Sequence, residues 1–161
     1  MRRIVVGVSQ SLAGLAAVRY GLGEARRIGA PLYAVRAWPF PAHWRGPAVT
    51  EWQRELRAEA QRYVVDAFAS AVGGAPDDVE VLVAAPVGRA DHVLLDLAGD
   101  DDLLVLGAAG RSWVVRACTR AARCPVVVVP EPELARRRPY RTLRRALSKH
   151  SAARTGPCGE H

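Results

Sequence analysis

Five short apolar runs set the folding problem for this chain. Arg3–Val8, Leu32–Ala37, Val79–Ala84, Leu103–Gly107 and Val126–Val129 are rich in β-branched residues and leucine, and none alternates between apolar and polar positions. A strand with one wet face alternates. A run without a polar side predicts a strand covered on both faces, and hence a parallel sheet with helices above and below. The last run is four valines bounded by Pro125 and Pro130.

The segments between the runs carry helical periodicity. Ser11 is placed to cap a first helix in which Leu15, Val18, Leu22, Ala25 and Ile28 recur at spacings of three and four, with Gly29 and Pro31 ending it. A second helix is expected over Val49–Val72, its inner face read as Trp52, Leu56, Ala60, Tyr63, Ala67 and Ala71. A third is expected to open at Pro86 or Val87 and to turn Ala90, Val93, Leu94 and Leu97 inward. A fourth, about Ser112 to Arg123, turns Val114, Cys118 and Ala121 or Ala122 to the sheet. This alternation predicts an α/β fold, a three-layer doubly wound domain with a five-stranded parallel sheet over residues 1–130, followed by a basic tail over 131–161.

Composition closes off several function classes. Half of the 161 residues are hydrophobic and 24% are charged, enough apolar surface for one packed core. No apolar run reaches the ~20 residues of a membrane-spanning helix. The opening run breaks at Gly7-Val8-Ser9-Gln10, too early for a secretory leader. Cys118, Cys124 and Cys158 form no Cys-x-x-Cys pair, which argues against a disulfide scaffold or a zinc site of ordinary spacing and points to a reducing cytoplasm.

The net charge of +7 is uneven, +2 over residues 1–130 and +5 over residues 131–161. The tail holds Arg136-Arg137-Arg138, Arg141, Arg144-Arg145, Lys149 and Arg154, with Tyr140, Leu143 and Leu147 at helical spacing. Two states are open for it: a disordered solubilising segment, or a short basic amphipathic helix that meets nucleic acid, a membrane surface or an acidic partner.

In a doubly wound sheet, ligands bind beyond the carboxyl ends of the strands, where the strand order reverses. Two turns are therefore candidates: Gly7-Val8-Ser9-Gln10-Ser11 after the first strand, and Gly107-Ala108-Ala109-Gly110-Arg111-Ser112 after the fourth. Each leads small residues into a helix start, where open N–H groups and the helix dipole suit an anion. Gly7, Val8, Ser9, Gly107, Gly110, Arg111 and Ser112 are the candidate binding residues.

No Gly-x4-Gly-Lys-[Ser/Thr] pattern occurs, and Gly21-Leu22-Gly23 lies mid-helix with Arg26 at the third glycine position, which reads as helix packing. Asp100-Asp101-Asp102 reads as a solvated turn and Asp91-His92 as a surface pair. Cys118 and Cys124 read as core residues. His43, His92, His150 and His161 are scattered, and no Ser-His-Asp or Cys-His arrangement is present, so neither a catalytic residue nor a metal ligand is nominated. The loop Trp38-Pro39-Phe40-Pro41-Ala42-His43-Trp44 leaves the sheet at the candidate edge and either folds onto the second helix or caps a ligand. The valine strand, at the end of the sheet, exposes backbone that invites pairing with a second copy.

The start Ile4-Val5-Val6-Gly7-Val8, the segment Asp102-Leu103-Leu104-Val105-Leu106-Gly107 and the run from Ala122-Arg123-Cys124-Pro125 to Val129, in this element order, resemble the universal stress protein family over residues 3–130. The resemblance implies the adenine-nucleotide α-hydrolase-like fold, a role in stress or dormancy physiology, and a homodimer through Val126, Val127, Val128 and Val129. ATP-binding members carry Gly-x2-Gly-x9-Gly-[Ser/Thr] after the fourth strand, whose amides hold the phosphates, and an Asp after the first that holds adenine or ribose. Gly107 and Gly110 match the first half. The second half would fall on Arg120-Ala121, inside the expected fourth helix, and Ser9 stands at the Asp position. Ala37 matches a position that lines the base.

The expected function is a regulatory or scaffold dimer in stress response, with a degraded nucleotide loop, no catalysis and no tight ATP binding. Two alternatives stand beside it: an adenine-nucleotide binder (ATP or AMP) with weak ATP hydrolysis, and an adaptor acting through the basic tail.

Overall fold

The computed structural model describes residues 2–39, 49–108 and 110–133. Among them strands and helices alternate: β1 (Ile4–Gly7), α1 (Leu12–Ile28), β2 (Leu32–Val35), α2 (Val49–Val72), β3 (Val81–Ala84), α3 (Ala90–Leu97), β4 (Leu103–Ala108), α4 (Trp113–Ala121) and β5 (Val126–Pro130). Every neighbouring pair is parallel, in the order β3-β2-β1-β4-β5. The order reverses between β1 and β4, which pair from Ile4 with Leu103 to Gly7 with Leu106. Phe40 to Trp44 of the aromatic loop, and the tail from Leu134 onward, lie outside the described residues.

Side chains alternate across a strand, so each central strand feeds two cores. Ile4, Val6, Leu32, Ala34, Leu103 and Val105 pack under α1 and α2. Val5, Val35, Leu104 and Leu106 pack with Leu94, Cys118 and Cys124 on the side of α3 and α4. This is the three-layer α/β architecture that the apolar runs predict. β3 and β5 form the edges, where Leu82, Val83 and Val128 are 37%, 40% and 37% exposed.

Ser11 caps α1, its Oγ accepting from the Gly14 N–H at 3.0 Å, and Gly29 ends it with φ 64. The buried stripe of α1 is Ala13, Gly14, Ala17, Val18, Gly21, Leu22 and Ala25, mostly small residues. That smallness lets the helix sit unusually close to the sheet. A Cβ at Gly21 would collide with Val6, and one at Gly107 of β4 would collide with the Ala13 carbonyl. Gly23 points into open space.

Several expectations are corrected in detail. α2 buries Ala60, Val64, Ala67, Phe68 and Ala71, so its inner face is rotated from the one read off the sequence, and Trp52 is exposed. α3 starts at Ala90, not at Pro86 or Val87. The chain stays extended because Trp38 bridges Val87: the Trp38 N–H donates to the Pro86 carbonyl at 3.2 Å and the Gly88 N–H to the Trp38 carbonyl at 2.9 Å. Gly88 then turns with φ 141. β1, β2 and β3 are shorter than the apolar runs, while β4 and β5 each run one residue further, to Ala108 and Pro130. Asp91, read as a surface residue, is buried, whereas His92 beside it is exposed.

The acidic turn before β4 is likewise not uniformly solvated. Asp100 and Asp101 are exposed, but Asp102 is 2% exposed and ties β4 to β1 at the end of the sheet away from the candidate turns. It accepts from the Arg3 backbone N–H at 2.9 Å, from Arg3 Nη2 at 2.6 Å and from the Gly99 N–H at 2.9 Å. Arg3 also donates to the Leu97 carbonyl at 3.0 Å and lies over the Tyr33 ring at 4.8 Å. Burial pushes the Asp102 carboxyl up, but the Arg3 guanidinium and the two amides outweigh it and hold the pKa below the ordinary value.

Two predictions follow from this packing. Asp102→Ala should cost about 3 kcal/mol in denaturant unfolding near neutral pH, since it strips a buried partner from Arg3. Because the folded pKa is depressed, that stabilisation is present above about pH 4 and lost below it, so the gap between wild type and variant should close in acid. A gap that persists unchanged at low pH would refute the assignment to an ionised carboxylate. The second pair runs in opposite directions: Gly107→Ala should destabilise by about 2 kcal/mol through overpacking, whereas Gly23→Ala should stabilise by about 0.5–1 kcal/mol. Equal melting shifts for the two variants would contradict the close seating of α1.

Candidate functional site

A cleft of about 170 Å³ opens over the carboxyl ends of β1, β2 and β4, at the reversal in strand order. Gly7, Val8 and Ser9 enter its wall from the turn after β1, and Val35, Arg36 and Ala37 from the end of β2. Leu106 and Gly107 come from β4, Ala90 and Leu94 from α3, and Ser112, Val114 and Val115 from the start of α4. Of the residues nominated from sequence, Gly7, Val8, Ser9, Ala37, Gly107 and Ser112 meet here. Gly110 and Arg111 are exposed and do not border it, and Ala109 lies outside the described residues. Among the described residues no carboxylate lines the cleft.

Three helices, α1, α3 and α4, begin at this edge, which brings the positive ends of three helix dipoles to one place. Ser112 caps α4, its Oγ accepting from the Val115 N–H at 3.4 Å. The first-turn amides of Trp113 and Val114 precede any helical carbonyl that could receive them. At α1 the Ser9 and Ser11 hydroxyls share a hydrogen bond of 2.9 Å, so Ser9 is engaged in supporting the cap. Arg36 brings a cation to the margin. Its guanidinium lies 4.1 Å from the centre of the Tyr63 ring, and the Tyr63 hydroxyl accepts from the Gln10 N–H at 2.8 Å.

The glycines that resemble a phosphate-binding pattern both have reasons within the fold. Gly107 is small because α1 abuts it, as described above. Gly110 has φ 67, the left-handed conformation a tight turn requires. The connection from Ala108 to Trp113 holds four residues, 109–112.

Next in sequence to lining residues, but not themselves among them, are Arg89, which precedes α3 and adjoins Ala90, and Trp113, the first residue of α4, between Ser112 and Val114. Arg89 pairs with Asp91 and its guanidinium lies 5.2 Å from the centre of the Trp113 ring. Burial raises the Asp91 carboxyl, but the Arg89 bonds and the His92 amide bring it below the ordinary value. Burial pushes the Cys118 thiol up to about 11 and raises Cys124 as well, so neither is a thiolate at neutral pH. Among the described residues no group of three His, Cys, Asp or Glu is arranged to hold a metal ion.

Arg36, Arg89 and Trp113 were not singled out from the sequence. Arg36 carried a signal, as a cation directly after a buried strand at the functional edge. Arg89 and Trp113 carried none, since only the packing of α3 against α4 brings them together.

The universal stress protein family model matches residues 1–130. A universal stress protein of Mycobacterium tuberculosis is 29% identical over 137 residues, covering 80% of this chain and 48% of that protein. The chain thus spans about half the length of the curated relatives it matches. A universal stress protein solved in complex with cAMP superposes with a TM-score of 0.57 at 21% identity, covering 81% of this chain and 98% of that one. A universal stress protein family member from Arabidopsis thaliana with AMP bound gives 0.54 at 16% identity, covering 82% and 93%. With the sheet order, the cleft at its reversal point and a family match across both cores, this chain belongs to the universal stress protein family.

Proposed function

We propose that this chain is a non-catalytic regulatory stress protein whose cleft takes a small adenine nucleotide of the AMP kind and does not hold ATP tightly. The observation that carries this reading is the four-residue connection between β4 and α4. A triphosphate needs a wrapping set of N–H donors, whereas one phosphoryl group is matched by a few amides at a helix start and a nearby guanidinium. Val35, Ala37, Leu94, Val114 and Val115 supply apolar surface suited to a flat base. Ser9, in place of a carboxylate, offers a ribose at most one hydroxyl. The two structural relatives bind AMP and cAMP, each with a single phosphoryl group.

The same reading puts the protein in the cytoplasm as a homodimer joined through β5, an edge strand with no outer partner among the described residues and with Val128 37% exposed. Among the described residues no helix is long and apolar enough to cross a membrane. A scaffold role without any ligand is favoured by one observation, that Gly107 and Gly110 are both accounted for by packing and turn geometry.

Calorimetric titration separates these readings. AMP should bind at least about tenfold more tightly than Mg-ATP, a difference of about 1.4 kcal/mol. Mg-ATP binding as tight as AMP would overturn the proposal, and no heat from either would select the scaffold. Light scattering should return the mass of two chains, and Val128→Lys should shift it toward one; a wild type of single-chain mass would refute the dimer.

A further inference from the structure

Beside the cleft, next to Ala90 of its wall, stands an arginine that its neighbours hold on two sides and leave open on a third. Arg89 Nε and Nη2 donate to the two carboxylate oxygens of Asp91 at 3.3 and 3.1 Å, which occupies one edge of the guanidinium. Trp113 covers one face. The Asp91 side chain is 6% exposed and so fixed in place, whereas that of Arg89 is 63% exposed. With those contacts made, the end of the guanidinium formed by Nη1 and the outer N–H of Nη2 remains as a second fork directed away from Asp91. A fork of this kind matches two oxygens of a phosphoryl group.

Position completes the argument. Ala90, next to Arg89, borders the cleft, and so do Ser112 and Val114 on either side of Trp113. The pair therefore stands beside the cleft, one residue from its wall at the start of α3 and at the start of α4. It also accounts for a tryptophan that is 54% exposed, since its ring face holds a cation in register.

We propose that Arg89, locked by Asp91 and Trp113, is the phosphate-binding residue of the cleft and stands in for the loop amides this chain lacks. The proposal rests on the nucleotide reading above and deepens it. With one fork beside the cleft, one phosphoryl group is satisfied and a second or third is not, so Arg89 selects a nucleoside monophosphate. Asp91 and Trp113 are positioning residues: they reduce the freedom that Arg89 would otherwise lose on binding.

The test is calorimetric titration of AMP and of adenosine, which lacks the phosphate, into wild type, Arg89→Lys and Trp113→Leu. Wild type should bind AMP about tenfold more tightly than adenosine, as expected for charge-assisted bonds to one phosphoryl group. Arg89→Lys, which keeps the charge but loses the second fork, should erase most of that advantage while adenosine affinity stays within about twofold. Trp113→Leu should produce a smaller loss for AMP alone. An Arg89→Lys protein that keeps the full preference for AMP overturns this proposal and leaves the nucleotide reading standing. Equal loss of adenosine and AMP in that variant assigns Arg89 a structural role and overturns it too. A wild type that takes up neither ligand overturns both readings.

Discussion

The close seating of α1 against β1 and β4 is the constraint on which the rest of this molecule depends. It is made by subtraction. Gly21 and Gly107 remove the side chains that would hold the helix off the sheet, Gly14 leaves room for Ser9 in the turn after β1, and alanines fill most of what remains of the interface. Two consequences follow from one contact. The helix covers the central strands tightly enough for one face of both to be dry, and its first turn is set down at the point where the strand order reverses. The cleft lies beside that turn, so a packing requirement decides where the functional edge is.

At the opposite end of the sheet the Arg3–Asp102 pair does complementary work. It fastens the starts of β1 and β4, the two strands whose carboxyl ends flank the cleft. A parallel pair has no hairpin to hold its register, and an ion pair with backbone hydrogen bonds at one end supplies that alignment. The site therefore stands on two strands fixed at their far ends by charge and along their length by apolar contact.

The connection between β4 and α4 is four residues long, so little backbone stands over the cleft at that point. Such a connection leaves helix starts and nearby side chains to meet a ligand where a longer loop would use its amides. The Asp91–Arg89–Trp113 cluster sits where such a substitute is needed, joined to the wall through Ala90, Ser112 and Val114. On the proposed reading, recognition passes from backbone to side chains, and such a site is tuned by single substitutions beside it.

Residue pattern was sufficient for the elements and their order. β-branched runs without a wet face read as strands of a parallel sheet, although β3 and β5 prove to be its partly exposed edges, and Ser11, Gly29 and Ser112 mark helix ends by chemistry local to the chain. Of the thirteen residues that line the cleft, five were nominated because the reversal point of a doubly wound sheet picks out the turns after β1 and β4, and Ala37 by the family resemblance. Long-range geometry decided the remainder. The true inner face of α2, the delayed start of α3 behind the Trp38–Val87 bridge, the burial of Asp91 and Asp102, and the meeting of Arg89 with Trp113 all join residues distant in sequence. Local propensity acts over one or two turns of chain, whereas the burial of a charge or the partner of a guanidinium is fixed only when separate elements pack, and no spacing rule along the chain encodes that.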